Sequence, residues 1–191
     1  MMYELRNIDF SYGEKPVLKN FSLSLPEKGV ICLFGASGLG KTTVLRLMAG
    51  LETPRAGSIE GFENKRITFI FQEDRLLPWR TAKENVALAL GNAPDAEGKA
   101  VRWLGALGLE NDVDRYPDEM SGGMCRRVSA ARALAPESDV ILADEPFTGL
   151  DEKNRIALAK LFAKKAEKEL VVIVTHSEEE AAMLNAEAVY M

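Results

Sequence analysis

The sequence predicts an α/β domain with a mostly parallel core sheet, an N-terminal antiparallel β portion and a helical insertion. Three observations predict it. Residues 30–34, 67–71, 140–143 and 170–174 are continuous apolar runs, the pattern of strands covered on both faces by helices. Residues before position 26 alternate instead, with Ile8, Phe10 and Tyr12 in one period-two series and Phe21, Leu23 and Leu25 in another. From about residue 76 to about residue 135 no strong strand pattern occurs, so a helical subdomain is expected there, inserted into the sheet-bearing core.

Several helices announce their starts. Residues 43–48 are helical in pattern. Thr81-Ala82-Lys83-Glu84 and Ser177-Glu178-Glu179-Glu180 each match a capping box, in which hydroxyl and carboxylate satisfy opposite free amides of a first turn. Met124, Val128, Ala131 and Ala135 form one apolar helical stripe, and Arg126, Arg127 and Arg132 fall off it. Residues 91–98 and 114–119 read as surface loops by composition.

At 191 residues the chain is expected to be a single domain, 1–191. No stretch approaches the roughly eighteen apolar residues of a membrane-spanning helix, and the N-terminus lacks a secretory pattern, so a soluble cytosolic protein is expected. The net charge of −5 argues against nucleic acid as a partner. Cys32 and Cys125 show no metal-ligand spacing and are expected to be reduced and unpaired.

Gly35-Ala36-Ser37-Gly38-Leu39-Gly40-Lys41-Thr42 meets the pattern G-x-x-x-x-G-K-[ST], after a strand and before a helix. Glycines let successive amides turn inward around phosphates, and the helix adds its positive end. Lys41 can reach the β- and γ-phosphates and Thr42 can offer its hydroxyl to Mg²⁺. The fold class therefore narrows to the P-loop NTPase fold, with ATP and Mg²⁺ as expected ligands. Asp144 ends the run 140–143, where a carboxylate can meet Mg²⁺ and its waters. Its neighbour Glu145 can act as general base on an attacking water. Alone, such a carboxylate pair is also a common helix start.

Ser121-Gly122-Gly123 opens a helix and so offers a second anion site, although a glycine-rich helix cap has the same appearance. The stretch Met120-Ser121-Gly122-Gly123-Met124 resembles the signature motif of ATP-binding-cassette (ABC) ATPases, and the resemblance runs from Tyr12 to His176. It implies that Tyr12 stacks on adenine, that Gln72 is the glutamine loop reaching Mg²⁺ and water, that Gly149-Leu150-Asp151 is the loop after the Mg²⁺ strand, and that His176 is the switch histidine on the γ-phosphate. The nucleotide site so implied comprises Tyr12, the loop from Gly35 to Thr42 with the adjoining Thr43, Gln72, Ser121, Gly122, Gly123 and Asp151. Thr42, Gln72 and Asp144 would hold Mg²⁺, and Glu145 and His176 would be catalytic. Met120 and Met124 depart from the usual Leu and Gln. The family arrangement is a head-to-tail dimer of two ATPase subunits, in which each signature closes over the other copy's nucleotide.

The segment Leu76-Leu77-Pro78-Trp79-Arg80-Thr81-Ala82-Lys83-Glu84-Asn85-Val86 resembles the one after the glutamine loop in importer ATPases for nitrate, sulfonate and taurine. That resemblance implies an ATP-hydrolysing subunit on the cytoplasmic side of the membrane, docked on an integral permease through Leu76, Leu77 and Trp79 as exposed anchors, with a solute-binding protein acting indirectly. A soluble cassette ATPase, such as an iron–sulfur assembly helper, is the alternative. A small phosphate-loop kinase is a third reading, opposed by Ser121-Gly122-Gly123 and His176.

Overall fold

The computed structural model describes residues 2–191. Strands β1 (Tyr3–Tyr12), β2 (Lys15–Leu25) and β4 (Ala56–Glu60) form an antiparallel sheet in the order β2-β1-β4. Strands β3 (Gly29–Phe34), β5 (Ile67–Ile70), β6 (Val140–Asp144), β7 (Leu170–Val174) and β8 (Glu187–Tyr190) form a second sheet in the order β5-β6-β7-β3-β8, every pairing in it parallel. Helix α1 (Lys41–Met48) follows β3. Helices α2 (Ala82–Leu90), α3 (Ala96–Ala106) and α4 (Gly122–Leu134) lie between β5 and β6, with a short 3-10 turn at Pro117–Glu119, and α5 (Glu152–Ala166) and α6 (Glu178–Leu184) complete the α-helices among the described residues.

The parallel sheet separates two apolar layers, which is why its strands lack alternation. Cys32, Ile141, Ala143, Val171 and Ile173 belong to one cluster with Val86, Leu104, Val128 and Phe162 of the helices. Ile31, Leu33, Leu142, Val172 and Val174 belong to the other, with Val44 and Leu45 of α1 and with Leu5, Ile8 and Phe10 of the antiparallel sheet. Parallel strands so arranged gather their C-terminal ends along one edge.

Strand β1 is irregular. Its register with β2 shifts between Leu5 and Ile8, where Asn7 has φ 49° and donates its N–H to Ser22 Oγ at 2.9 Å. Opposite this irregularity Gly57 has φ +91°, and a Cβ there would stand 2.3 Å from the Arg6 carbonyl oxygen, so only glycine lets β4 approach.

Two sequence expectations are corrected locally. Residues 91–98 are not all loop, because α3 begins at Ala96 and its Ala100 and Leu104 are buried. Polar and small residues hid that start. The box expected at Ser177 is half formed: Ser177 Oγ accepts from Glu180 N at 3.3 Å, but the Glu180 carboxylate accepts from Thr175 Oγ1 and the Ser177 amide donates to that same hydroxyl. The Thr81 box is complete in both directions, at 3.3 and 2.9 Å.

Candidate active site

Four segments leaving the C-terminal edge of the parallel sheet converge. The 35–42 loop leaves β3, the turn with Gln72 leaves β5, Glu145 leaves β6 and His176 leaves β7. Together with Tyr12 from the end of β1 they line a cavity of about 410 Å³, within the range usual for small-molecule sites. Ser37, Gly38, Gly40, Lys41, Thr42 and Thr43 face the same space. A larger apolar groove of about 660 Å³ runs along α5, but no residue of this group lines it.

The loop's conformation depends on glycine. Gly40 has φ +94°, and a Cβ there would approach Val17 Cγ1 to 2.8 Å. Lys41 is only 6% exposed, and its ammonium donates to the carbonyls of Gly35 at 2.8 Å and Ala36 at 3.0 Å, across the mouth of its own loop. An ammonium satisfied by neutral carbonyls is available to a more strongly accepting phosphate oxygen. Leu39 is exposed at the loop's tip.

Asp144 is 2% exposed and accepts from Thr42 Oγ1 at 2.7 Å. Burial pushes its carboxyl above the usual range; the Thr42 hydrogen bond opposes this, the Glu145 charge adds to it, and Arg46 and Lys41 oppose it. A buried carboxylate held up in this way gains by meeting a cation. Thr42, Gln72 and Asp144 line one adjoining recess of about 80 Å³ with Arg46. A hydroxyl, an amide and a carboxylate are hard oxygen donors that suit Mg²⁺, which completes its shell with waters and substrate phosphates. No cluster of three or more His, Cys, Asp or Glu side chains fit to hold a metal occurs among the described residues.

Glu145 sits in the left-handed region at φ 49°, its amide donating to Val174 O at 2.9 Å. That strained turn sets it apart from Asp144. His176 Nε2 lies 3.0 Å from Glu145 Oε1, which brings the two side chains into direct polar contact. Tyr12 is 42% exposed, edge-on to Phe10 at 4.9 Å, and its hydroxyl accepts from Arg46 Nη1 at 3.3 Å.

Other expected site residues lie outside this cavity. Ser121 caps α4, its Oγ accepting from Met124 N at 3.3 Å. Gly123 packs on the turn before α5, where a Cβ would stand 3.0 Å from Gly149 O. Asp151 caps α5 and spends both oxygens on Asn154, at 2.9 and 3.1 Å. Ser121, Gly122, Gly123 and Asp151 thus lie apart from the cavity that the other expected residues line.

The anchors expected for a permease divide. Trp79 is 69% exposed, whereas Leu76 packs against the apolar cluster and Leu77 is half-buried, which corrects the reading of all three as exposed. Asn85, to which the sequence reading gave no role of its own, is fully buried and holds the turn that presents Trp79. Its Oδ1 accepts from Leu77 N at 2.8 Å and its Nδ2 donates to the carbonyls of Leu77, Arg80 and Thr81. Arg126 and Arg132 were also missed, having been placed off the apolar stripe of α4. Arg126 is buried and Arg132 partly so, and both donate to backbone carbonyls of residues 71–75. The two cysteines are free, and burial pushes the Cys32 thiol up to about 12, which makes it inert.

A parallel sheet carrying a phosphate loop, a carboxylate pair and a histidine at one edge, with a glycine-flanked serine on a separate helix, defines an ATP-binding-cassette ATPase. The chain belongs to the ABC transporter family, whose pattern matches residues 18–148. It is 39% identical over 189 residues to the aliphatic sulfonates import ATP-binding protein SsuB of Rhodopseudomonas palustris, an alignment covering 95% of this chain and 67% of that protein. With the protein of the same name from Zymomonas mobilis it shares 38% identity over 190 residues, covering 95% and 78%. Among solved structures it superposes on the dimeric post-hydrolysis state of the cassette MJ0796 bound to ADP and Pi with a TM-score of 0.87 and 30% identity, covering 99% of this chain and 94% of that one. The chain is accordingly an ATPase that binds nucleotide and serves an ABC transporter.

Proposed function

We propose that this ATPase powers uptake of a sulfonate-class solute through an integral membrane permease, working as a head-to-tail homodimer with two shared nucleotide sites. One observation carries the reading: the phosphate loop, Gln72, Glu145 and His176 share a cavity from which Ser121, Gly122, Gly123 and Asp151 are absent. A second copy would supply them. The dimeric cassettes that this fold superposes on, and the relatives named as import proteins, support that arrangement.

In this mechanism Tyr12 stacks on the adenine and the amides of the 35–42 loop receive the phosphates. Lys41 exchanges the Gly35 and Ala36 carbonyls for phosphate oxygens. Thr42 and Asp144, with Gln72, would hold Mg²⁺, whose charge would polarise the phosphates. Glu145 takes a proton from the attacking water, and His176 orients it while reaching the γ-phosphate. Transition-state charge is met by preset donors, including the free amides at the start of the other copy's α4. Opening and closing of the dimer would reach the permease through the Gln72 turn and the Trp79 surface, with the chain working at the cytoplasmic face of the membrane.

Tyr12→Ala should weaken ATP binding by about 1–3 kcal/mol, read by nucleotide titration, if the ring is a stacking platform. The transport assignment is tested by tagging the chain and solubilising membranes. A multi-span permease should co-purify, with hydrolysis by the complex rising when an alkanesulfonate and a solute-binding protein are added. Recovery of soluble partners alone would replace the importer with a non-transport cassette ATPase.

A further inference from the structure

Strand β5 is an edge of its sheet and ends at Ile70, so the carbonyls that follow need partners from elsewhere. Helix α4 supplies them. Arg126, 8% exposed, donates from Nη1 to Phe71 O at 2.8 Å and from Nη2 to Gln72 O. Arg132 donates to the carbonyls of Asp74 at 2.8 Å and Arg75 at 2.7 Å. Asp74 Oδ1, 3.2 Å from Arg126 Nη1, balances the buried charge.

The turn so gripped is a tight one. Arg75 has φ 47°, its guanidinium lies over the Phe71 ring at 4.2 Å, and Phe71 stacks on Phe69 at 4.2 Å. A non-glycine residue in the left-handed region persists only where its surroundings over-determine it. A planar guanidinium fork fixes the direction of two adjacent carbonyls through two separate nitrogens, a stiffer constraint than the single nitrogen of an ammonium gives. Holding the Gln72 carbonyl fixes the backbone from which the Gln72 side chain enters the cavity beside Glu145 and Thr42.

We propose that Arg126 is a positioning residue for ATP hydrolysis, clamping the Gln72 carbonyl so that the Gln72 side chain is set towards the phosphates. It ties that turn to the helix whose first residues are Gly122 and Gly123, so the two expected nucleotide-contacting segments move as one body. The inference rests on the reading of Gln72 given above. A purely structural role, in which Arg126 only neutralises Asp74, makes a different prediction, because replacing a buried ion pair as a pair is often nearly neutral.

The test is a mutant cycle on the full chain. Arg126→Met with Asp74→Asn removes the clamp and its ion-pair partner together, while Arg132, which also feels the Asp74 charge, keeps its two carbonyl acceptors. The paired variant should lower kcat about 10- to 100-fold with KM for ATP little changed, the scale of lost supporting contacts elsewhere. In a Gln72→Ala background the same two changes should cost less than about twofold, because the group being positioned is already gone. Arg126→Lys, which keeps the charge but not the planar two-nitrogen fork, should recover part of the rate, and it also serves if the paired variant does not fold. Full kcat in the paired variant or in Arg126→Lys would overturn the proposal, as would equal losses in both backgrounds. Undiminished turnover by Gln72→Ala alone would overturn the reading of Gln72 and this inference with it, whereas slow turnover with multiplying losses would overturn the inference only.

Discussion

Glu145→Gln is expected to bind ATP normally and to hydrolyse it about 10²- to 10⁴-fold more slowly, the range over which a positioned general base acts. The loss corresponds to about 3–5 kcal/mol in the barrier. The substitution keeps shape and hydrogen-bonding reach, so the contact with His176 Nε2 at 3.0 Å can persist through the amide oxygen. Backbone strain is equally unchanged, since glutamine meets the same φ of 49°. Only the capacity to accept a proton disappears. With hydrolysis blocked, a nucleotide enclosed by two copies has no route to release, and the variant should accumulate as an ATP-bound dimer, measurable by light scattering and single-turnover kinetics. Turnover at the native rate would remove Glu145 as the base, and a monomer under those conditions would remove the shared site.

Much of the fold was legible because burial on both faces leaves an unmistakable trace. The runs behind β3, β5, β6 and β7 are apolar at every or nearly every position, and the comparable run at residues 86–90 is set apart by the capping box that opens its helix. Strands β4 and β8 left no such trace. Each is short and largely exposed, and the position of β4 is set by its pairing with β1, some fifty residues earlier in the chain. Local pattern cannot encode a partner that distant.

The site divides along the same line. Its phosphate loop and carboxylate pair are contiguous motifs, and while Ser121, Gly122, Gly123 and Asp151 lie apart, Tyr12, Gln72, Glu145 and His176 line one cavity with the loop. The groups that hold them do not advertise themselves. Arg126 works through carbonyls 54 and 55 positions away, and Asn85 works through carbonyls of the turn before its own helix. A polar residue off an apolar stripe reads as solvent-facing, and the available signal was only that small residues surround it: Ser129, Ala130 and Ala133 on α4 are also buried, which leaves room for an arginine to lie inward.

Phe162→Ala is expected to cost about 3–5 kcal/mol of stability, the usual toll of an aromatic removed from a closed core. Phe162 is 0% exposed and belongs to the cluster shared by α2–α5 and one face of the parallel sheet. Its ring meets Phe147 edge-on at 5.9 Å and 73°, and Phe147 lies two residues after Glu145. Truncation therefore empties space directly beneath the segment that aims the proposed base. Because α5 also packs against β3 and β7, the surrounding backbone is held by hydrogen-bonded strands and cannot collapse into the gap. For a domain of this size the loss should lower the melting midpoint by about 6–20 °C, read by calorimetry. Turnover measured well below that midpoint should fall as well, since Phe147 would gain freedom that Glu145 inherits. A variant that melts as the parent does would show that the cluster repacks around the missing ring, and the Phe147 contact would then carry no weight in holding the base.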